Sequence, residues 1–162
     1  MKGILFKEPM FNAVIAGQKT QTRRICQHQN SVARYKPGDI VYLKEPFYII
    51  PETGRLVYRY SCFSTLPQKA WKNKLFMPAS AARYFIKIKD VRVERLLDIS
   101  EADAKAEGVQ KGRFVGYGKI GMTSYKEGFL DLFFTINRDL KTYNPWVFVY
   151  EFELATSNQQ LI

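Results

Sequence analysis

The chain has little of what most metal and nucleophile chemistry needs: among 162 residues there are two cysteines, Cys26 and Cys62, and one histidine, His28. Three Cys or His side chains fall short of the four that a structural zinc site takes. No acidic cluster suggests a carboxylate site, so neither a metal nor a cofactor is expected. A single histidine also argues against Ser-His-Asp or Cys-His catalysis unless His28 itself serves. The apolar start Ile4-Leu5-Phe6 runs at once into Lys7 and Glu8, too short for a signal peptide. Without an export signal, the cysteines read as reduced thiols. No apolar run is long enough to span a bilayer. The expectation is a cytoplasmic protein with no membrane partner, whose chemistry rests on Lys, Thr, Ser, Tyr, Asp or Glu.

Acids are also scarce, with 15 Asp plus Glu against 25 Lys plus Arg, a net charge of +10. A field of that sign favours polyanions, nucleic acid above all. Apolar residues are not scarce: 46% are hydrophobic and 15% aromatic, ample for one core. The length fits one domain over residues 1–154, with 155–162 a flexible polar tail.

Residues 3–6 read as a first strand. A helix follows, with Pro9 in its first turn and Gly17 as its stop. Thr20 to Ile25 reads as a strand or extended loop, Lys36-Pro37-Gly38-Asp39 as a turn, and Ile40 to Leu43 as a strand. Residues 47–50 and 56–60 read as a hairpin, and 61–82 as a surface excursion without a clear period. Residues 83–97 are strand-like, but their apolar phase shifts from Tyr84, Ile86 and Ile88 to Val91 and Val93. A bulge near Lys89-Asp90 would restore one buried face. Ser100 to Asp103 and Ser124 to Glu127 have capping-box spacing, each opening a helix. The four glycines of 110–123 read as a flexible loop. Trp146 to Leu154 alternates as a last strand. The sum is an α+β chain: a small mixed, mostly antiparallel β-barrel with two or three peripheral helices.

The segment Gly17-Gln18-Lys19-Thr20-Gln21-Thr22-Arg23-Arg24 places three cations beside two hydroxyls and two amides. From residue 17 to 44 there are six cations and one acid, Asp39. Such a loop holds phosphates by charge-assisted hydrogen bonds while its amides read a base edge. The plain alternative is a solvated edge strand whose cations prevent aggregation. On the nucleic-acid reading, Arg23, Arg24 and Lys36 contribute to one positive cleft with Lys19. Trp71, flanked by Lys69, Lys72 and Lys74, is the candidate for stacking a base.

The pattern Gly17-x-Lys19-x-x-Thr22-x-Arg24 resembles the signature of ASCH domains, a branch of the PUA-like superfamily. The resemblance continues through Pro37-Gly38-Asp39, Met77-Pro78 and Asp90 to Leu96. It goes on through Asp98 to Glu101 and Ala104 to Gly108, and closes at Asn137 and Asn144-Pro145-Trp146-Val147. It spans most of residues 3–154, in the order seen in bacteriophage and prophage members. The resemblance implies a PUA-like barrel and a basic cleft for RNA or a modified nucleoside. One branch is similar in its active-site signature to N(4)-acetylcytidine amidohydrolase, which uses Lys, Thr and Glu. The matching positions here are Lys19, Thr22 and Glu107, the last in the final turn of its helix. Another branch is linked to ribonuclease activity, and a non-catalytic RNA- or modified-base-binding module is the alternative. In a regular strand Lys19 and Thr22 would point to opposite faces, so their convergence requires a bend near Thr20-Gln21. Neither Lys19 nor Glu107 is expected to belong to the core.

Overall fold

The computed structural model describes residues 1–61, 67, 70–109 and 124–155. Strand β1 (Lys2–Leu5) leads into helix α1 (Glu8–Ile15), whose first turn contains Pro9 and whose inner face buries Phe11, Ala13 and Val14. The helix stops at Gly17, which has φ +71° and so takes the left-handed conformation that glycine tolerates best. The N–H groups of Gln18 and Lys19 both donate to the Ala13 carbonyl, at 2.9 and 3.0 Å. This tight turn places Lys19 before β2 (Gln21–Ile25), outside the regular alternation of the strand.

Strands β3 (Ile40–Lys44), β6 (Phe85–Arg95) and β7 (Trp146–Leu154) complete a five-stranded sheet of order β1-β3-β6-β7-β2. The β1–β3 pair is parallel and the other pairs are antiparallel. The long β6–β7 ladder shifts register between Ile88 and Asp90, at the point where the apolar phase of the sequence changes. Strands β4 (Phe47–Ile49) and β5 (Leu56–Tyr58) form a separate two-stranded sheet around Gly54.

The expected barrel is therefore corrected. β1 and β2 are the two outer strands of the sheet, and no ladder joins them. What spans them is a side chain: the Arg24 guanidinium donates to the Leu5 carbonyl at 2.6 Å. The physical reason lies in what fills one face of the sheet. Phe6, Phe11, Tyr35, Phe148, Tyr150 and Phe152 pack there with Ile4 and Ile88. Rings of that size hold the outer strands apart, and pockets line the seam between them.

The other face carries α2 (Glu101–Ala106) and α3 (Tyr125–Ile136). Their N-termini form as the spacing predicts, with the Ser100 and Ser124 hydroxyls each accepting at 3.1 Å from the N–H of Asp103 and Glu127. Phe129, Leu132 and Phe133 of α3 bury against Val147 and Val149, so β7 is packed on both faces over its first half. Full burial of side chains of this size contributes about 1.5–3 kcal/mol each. Residues 61–82 are described in part, as short turns at Lys74–Phe76 and Ala79–Ala81. Cys62, the glycine-rich segment 110–123 and the end of the expected tail, 156–162, lie outside the described residues.

Candidate functional site

Lys19 is 3% exposed and Glu107 4%, so both belong to the interior, against expectation. The Lys19 Nζ donates to Glu107 Oε2 at 2.6 Å and to the Glu107 backbone carbonyl at 2.7 Å. The approach depends on Gly108, which follows Glu107 at the end of α2 with φ +81°. A Cβ at Gly108 would sit 2.8 Å from the Lys19 Cβ. Burial lowers the Lys19 pKa from its ordinary 10.5; Glu107 opposes that shift, and Arg24 and Arg23 add to it.

The second oxygen of Glu107 belongs to Arg23, whose Nη1 donates to Oε1 at 3.1 Å. Arg23 also donates to Glu94 Oε1 through Nε (3.0 Å) and Nη2 (2.7 Å), and to Asp103 Oδ2 at 3.2 Å. Its side chain is fully enclosed. Arg92 binds the far side of the same acids, donating to Asp103 Oδ2 at 3.0 Å and Glu94 Oε2 at 3.3 Å, and it pairs with Glu151. Gln21 closes the network, with its amide nitrogen 2.9 Å from Asp103 Oδ1 and 3.1 Å from Glu151 Oε1. Partial burial works against ionisation of Asp103. The Gln21 hydrogen bond and the guanidinium groups of Arg23 and Arg92 outweigh it, holding the carboxyl below its ordinary 3.8.

Alternation along β2 explains how this network meets a pocket. Gln21 and Arg23 face α2, whereas Thr22 and Arg24 stand beside Tyr150 and Phe148 on the other face. Because β2 is an edge strand, a pocket of about 220 Å³ wraps around it, with Lys19, Thr22, Arg23, Arg24 and Glu107 in its wall. Phe6, Met10, Phe129 and Leu132 supply apolar surface. Among the described residues, the Thr22 hydroxyl makes no hydrogen bond. Drug-sized ligand pockets run from about 300 to 1,000 Å³, so this one suits a single compact group such as one base.

The predicted residues thus separate. Lys19, Thr22 and Glu107 line one pocket. The bend expected near Thr20-Gln21 falls earlier, in the turn from Gly17 to Lys19 after α1, with Thr20 already bonded to Phe152 of β7. Arg24 lines the same pocket, with its guanidinium 5.5 Å from the Phe6 ring. Arg23 is committed to three carboxylates and is closed to solvent. Lys36 is exposed in the turn before β3, and Trp71 is half-buried beside the Phe47–Lys72 bridge; neither lines this pocket. Cys26 is buried and His28 is exposed, held by Ser31. Sequence reasoning missed Glu94, Asp103, Arg92 and Glu151 as members of the site, and it read the Gln21 amide as a base contact where the structure bonds it to Asp103 and Glu151. A signal for some of them existed: Arg92 and Glu94 share one strand face, as do Gln21 and Arg23. Among the described residues no group of three or more His, Cys, Asp and Glu side chains is arranged to hold a metal, and no helix is long and apolar enough to cross a membrane.

No family model matches the chain, and no curated protein matches it. Among solved structures, it is similar to a crystal structure of protein EF3133 from Enterococcus faecalis V583, described as DUF984. The two share 12% identity over 96% of this chain and 81% of that one, with a TM-score of 0.48. At that distance the site has to be read from its own geometry.

Proposed function

We propose that the protein is an ASCH-type amidohydrolase that removes an acyl group from the exocyclic nitrogen of a modified cytidine, the nucleoside being free or part of RNA. The observation that supports this reading is the meeting of Lys19, Thr22 and Glu107 in the wall of one small, partly apolar pocket. Amide hydrolysis needs a nucleophile, a proton carrier and a donor for the oxyanion. The Thr22 hydroxyl, without a partner among the described residues, is placed to attack the acyl carbon or to orient the water that does. Lys19, with a pKa lowered by burial, takes the nucleophile's proton in its neutral form. The proton then passes to the departing amine nitrogen as the C–N bond breaks. Where water attacks, acetate and cytidine are left in the case of an acetyl group. Where Thr22 attacks, cytidine leaves first, and a water, giving its proton to Lys19, then hydrolyses the acyl-threonine to acetate and free Thr22. Glu107 holds Lys19 in place and stabilises its ammonium when it forms. Arg24, which cannot lose its proton under these conditions, is the cation available to the oxyanion.

The test is incubation with N(4)-acetylcytidine, free and within an RNA oligonucleotide, with chromatography for cytidine and acetate. Release of both, lost in Lys19→Arg, supports the reading, because a guanidinium does not act as a base. One observation favours a second reading. The 2.6 Å Lys19–Glu107 contact is an ion pair, and a Lys19 kept charged by it would serve a module that binds a base without cleaving it. Full activity in Lys19→Arg, or binding without turnover, would select that reading.

A further inference from the structure

A second pocket lies on the other side of Arg24. Its volume is about 480 Å³, and Leu5, Arg24 and Ile25 are common to both. Arg24 is therefore the partition, fixed by its hydrogen bond to Leu5 and its position over Phe6. The two sides differ in their acids. In the first pocket Lys19 and Arg23 are paired with Glu107, Glu94 and Asp103, while Lys7 and Lys74 also line it, Lys74 donating to the Phe6 carbonyl at 2.6 Å. The second is lined by Arg24, Arg34 and Lys44 and by no Asp or Glu. None of these three cations takes part in an ion pair among the described residues. The Arg34 guanidinium lies 5.6 Å from the Tyr35 ring, and Lys44 Nζ donates to the Leu75 carbonyl at 2.8 Å, with further N–H bonds to spare. Three like charges around one concavity repel one another, and an anion entering it relieves that repulsion and accepts several charge-assisted hydrogen bonds.

We infer that this second pocket is a phosphate subsite, and that the ligand straddles Arg24 with its base beside Lys19 and its phosphate among Arg24, Arg34 and Lys44. The inference rests on the nucleoside reading of the first pocket and narrows it. The preferred ligand is a phosphorylated nucleoside, either a mononucleotide or a phosphodiester in an RNA strand, rather than a bare nucleoside.

Calorimetric titration with cytidine, its 5′- and 3′-monophosphates and a cytidine-containing dinucleotide tests it, since none of these carries an acyl group to be cleaved. For the wild-type chain at low salt, a phosphorylated ligand is expected to bind about tenfold or more tighter than cytidine, as two or more charge-assisted bonds to phosphate require. The double variant Arg34→Gln/Lys44→Gln should lose that advantage and keep its affinity for cytidine within about twofold. These two side chains lie outside the Lys19 pocket and outside the buried cluster. Dinucleotide binding above both monophosphates identifies a strand as the source of the phosphate; the reverse order identifies a mononucleotide. Equal affinities for cytidine and its phosphates in the wild type, or an advantage that survives in the double variant, overturns the subsite while leaving the nucleoside reading in place. Failure of every ligand to bind overturns both.

Discussion

Glu45 and Glu107 are both buried carboxylates held by cations, and they are built for different ends. Glu45, with no exposed surface, takes both its hydrogen bonds from one partner, Arg83, at 2.7 and 2.8 Å. That guanidinium is covered by the rings of Tyr58 at 4.3 Å and Tyr84 at 4.9 Å. Partial burial works against the Arg83 charge, and the Glu45 contacts more than offset it, raising its pKa. The result is a clamp that ties the end of β3 to the start of β6. Glu107 divides its two oxygens between Lys19 and Arg23 and faces a pocket. One of its partners is a lysine, which burial can bring to lose a proton, whereas an arginine keeps its own. A saturated Arg–Glu pair is a fastening. A divided pair containing a lysine, at the rim of a cavity, is able to exchange a proton with whatever enters.

The comparison breaks most readily at Arg83. Arg83→Ala leaves Glu45 charged, enclosed and without its partner, a defect that costs about 3–5 kcal/mol. Lys19→Met removes one of two cations from Glu107 and should cost less, about 1–2 kcal/mol, because Arg23 remains to hold the carboxylate. Urea denaturation measures both. Equal losses would mean that Lys19 is as structural as Arg83 and would count against a proton-transfer role.

Gly108→Ala should cost about 1–2 kcal/mol, the usual penalty for a side chain in the left-handed conformation. It should also displace Lys19, whose Cβ lies 2.8 Å from where the new methyl would sit. The check is a loss of turnover or of base binding larger than the loss of stability explains. An unchanged site would show that Lys19 does not depend on the close approach at Gly108.

Protons sharpen the contrast further. Lys19 has a folded-state pKa below its ordinary 10.5, so the unfolded chain binds the proton more tightly. Its contribution to stability is complete above 10.5 and is lost as pH falls through the lowered value. Asp103, held below 3.8, contributes fully above 3.8 and loses that contribution as pH falls through its own lowered value. Lys74 is shifted the same way and Tyr35, Tyr58, Tyr60 and Tyr150 the opposite way, so the Lys19 contribution is read as a difference. The wild type should gain stability relative to Lys19→Met as pH rises toward 10.5. Stability should also fall in acid, with a shallower fall in Asp103→Asn. A wild type and a Lys19→Met chain whose stability difference does not change with pH would remove Lys19 as a titrating group.

Much of the fold was legible in the sequence because single strands and helices write their own periods. The bulge between Ile88 and Asp90 came from the phase change, the α2 and α3 N-termini from their serines, and the α1 stop from Gly17. The closure of the sheet was not legible. Whether β1 and β2 pair depends on the volume of rings contributed by four separate segments, from Phe6 to Phe152, which no local pattern records. The site was half legible for the same reason. Lys19, Thr22 and Glu107 came as a resemblance, but their burial did not, since a lysine and a glutamate 88 residues apart carry no sign that they will pair. Arg23 was read as a phosphate contact because its neighbours in sequence are cations. Its neighbours in space are Glu94, Asp103 and Glu107, which only the β2–β7–β6 order assembles.

The smallest expected effect on stability is the one that separates fastening from chemistry most cleanly. Thr22 sits on the face of β2 away from the ionic network, opposite Tyr150, and its hydroxyl has no partner among the described residues. Thr22→Val keeps the branched shape that a strand favours and removes only that hydroxyl. No hydrogen bond among the described residues is lost, so stability should change by less than about 0.5 kcal/mol. A clamp residue could not behave this way, as Arg83→Ala illustrates. If the hydroxyl attacks or orients the attacking water, Thr22→Val should nonetheless end turnover of N(4)-acetylcytidine, and Thr22→Ser should retain part of it. Rates and unfolding curves taken on the same three chains decide the matter. An active Thr22→Val chain would remove Thr22 from the chemistry, and a strongly destabilised one would show that its hydroxyl is a fastening after all.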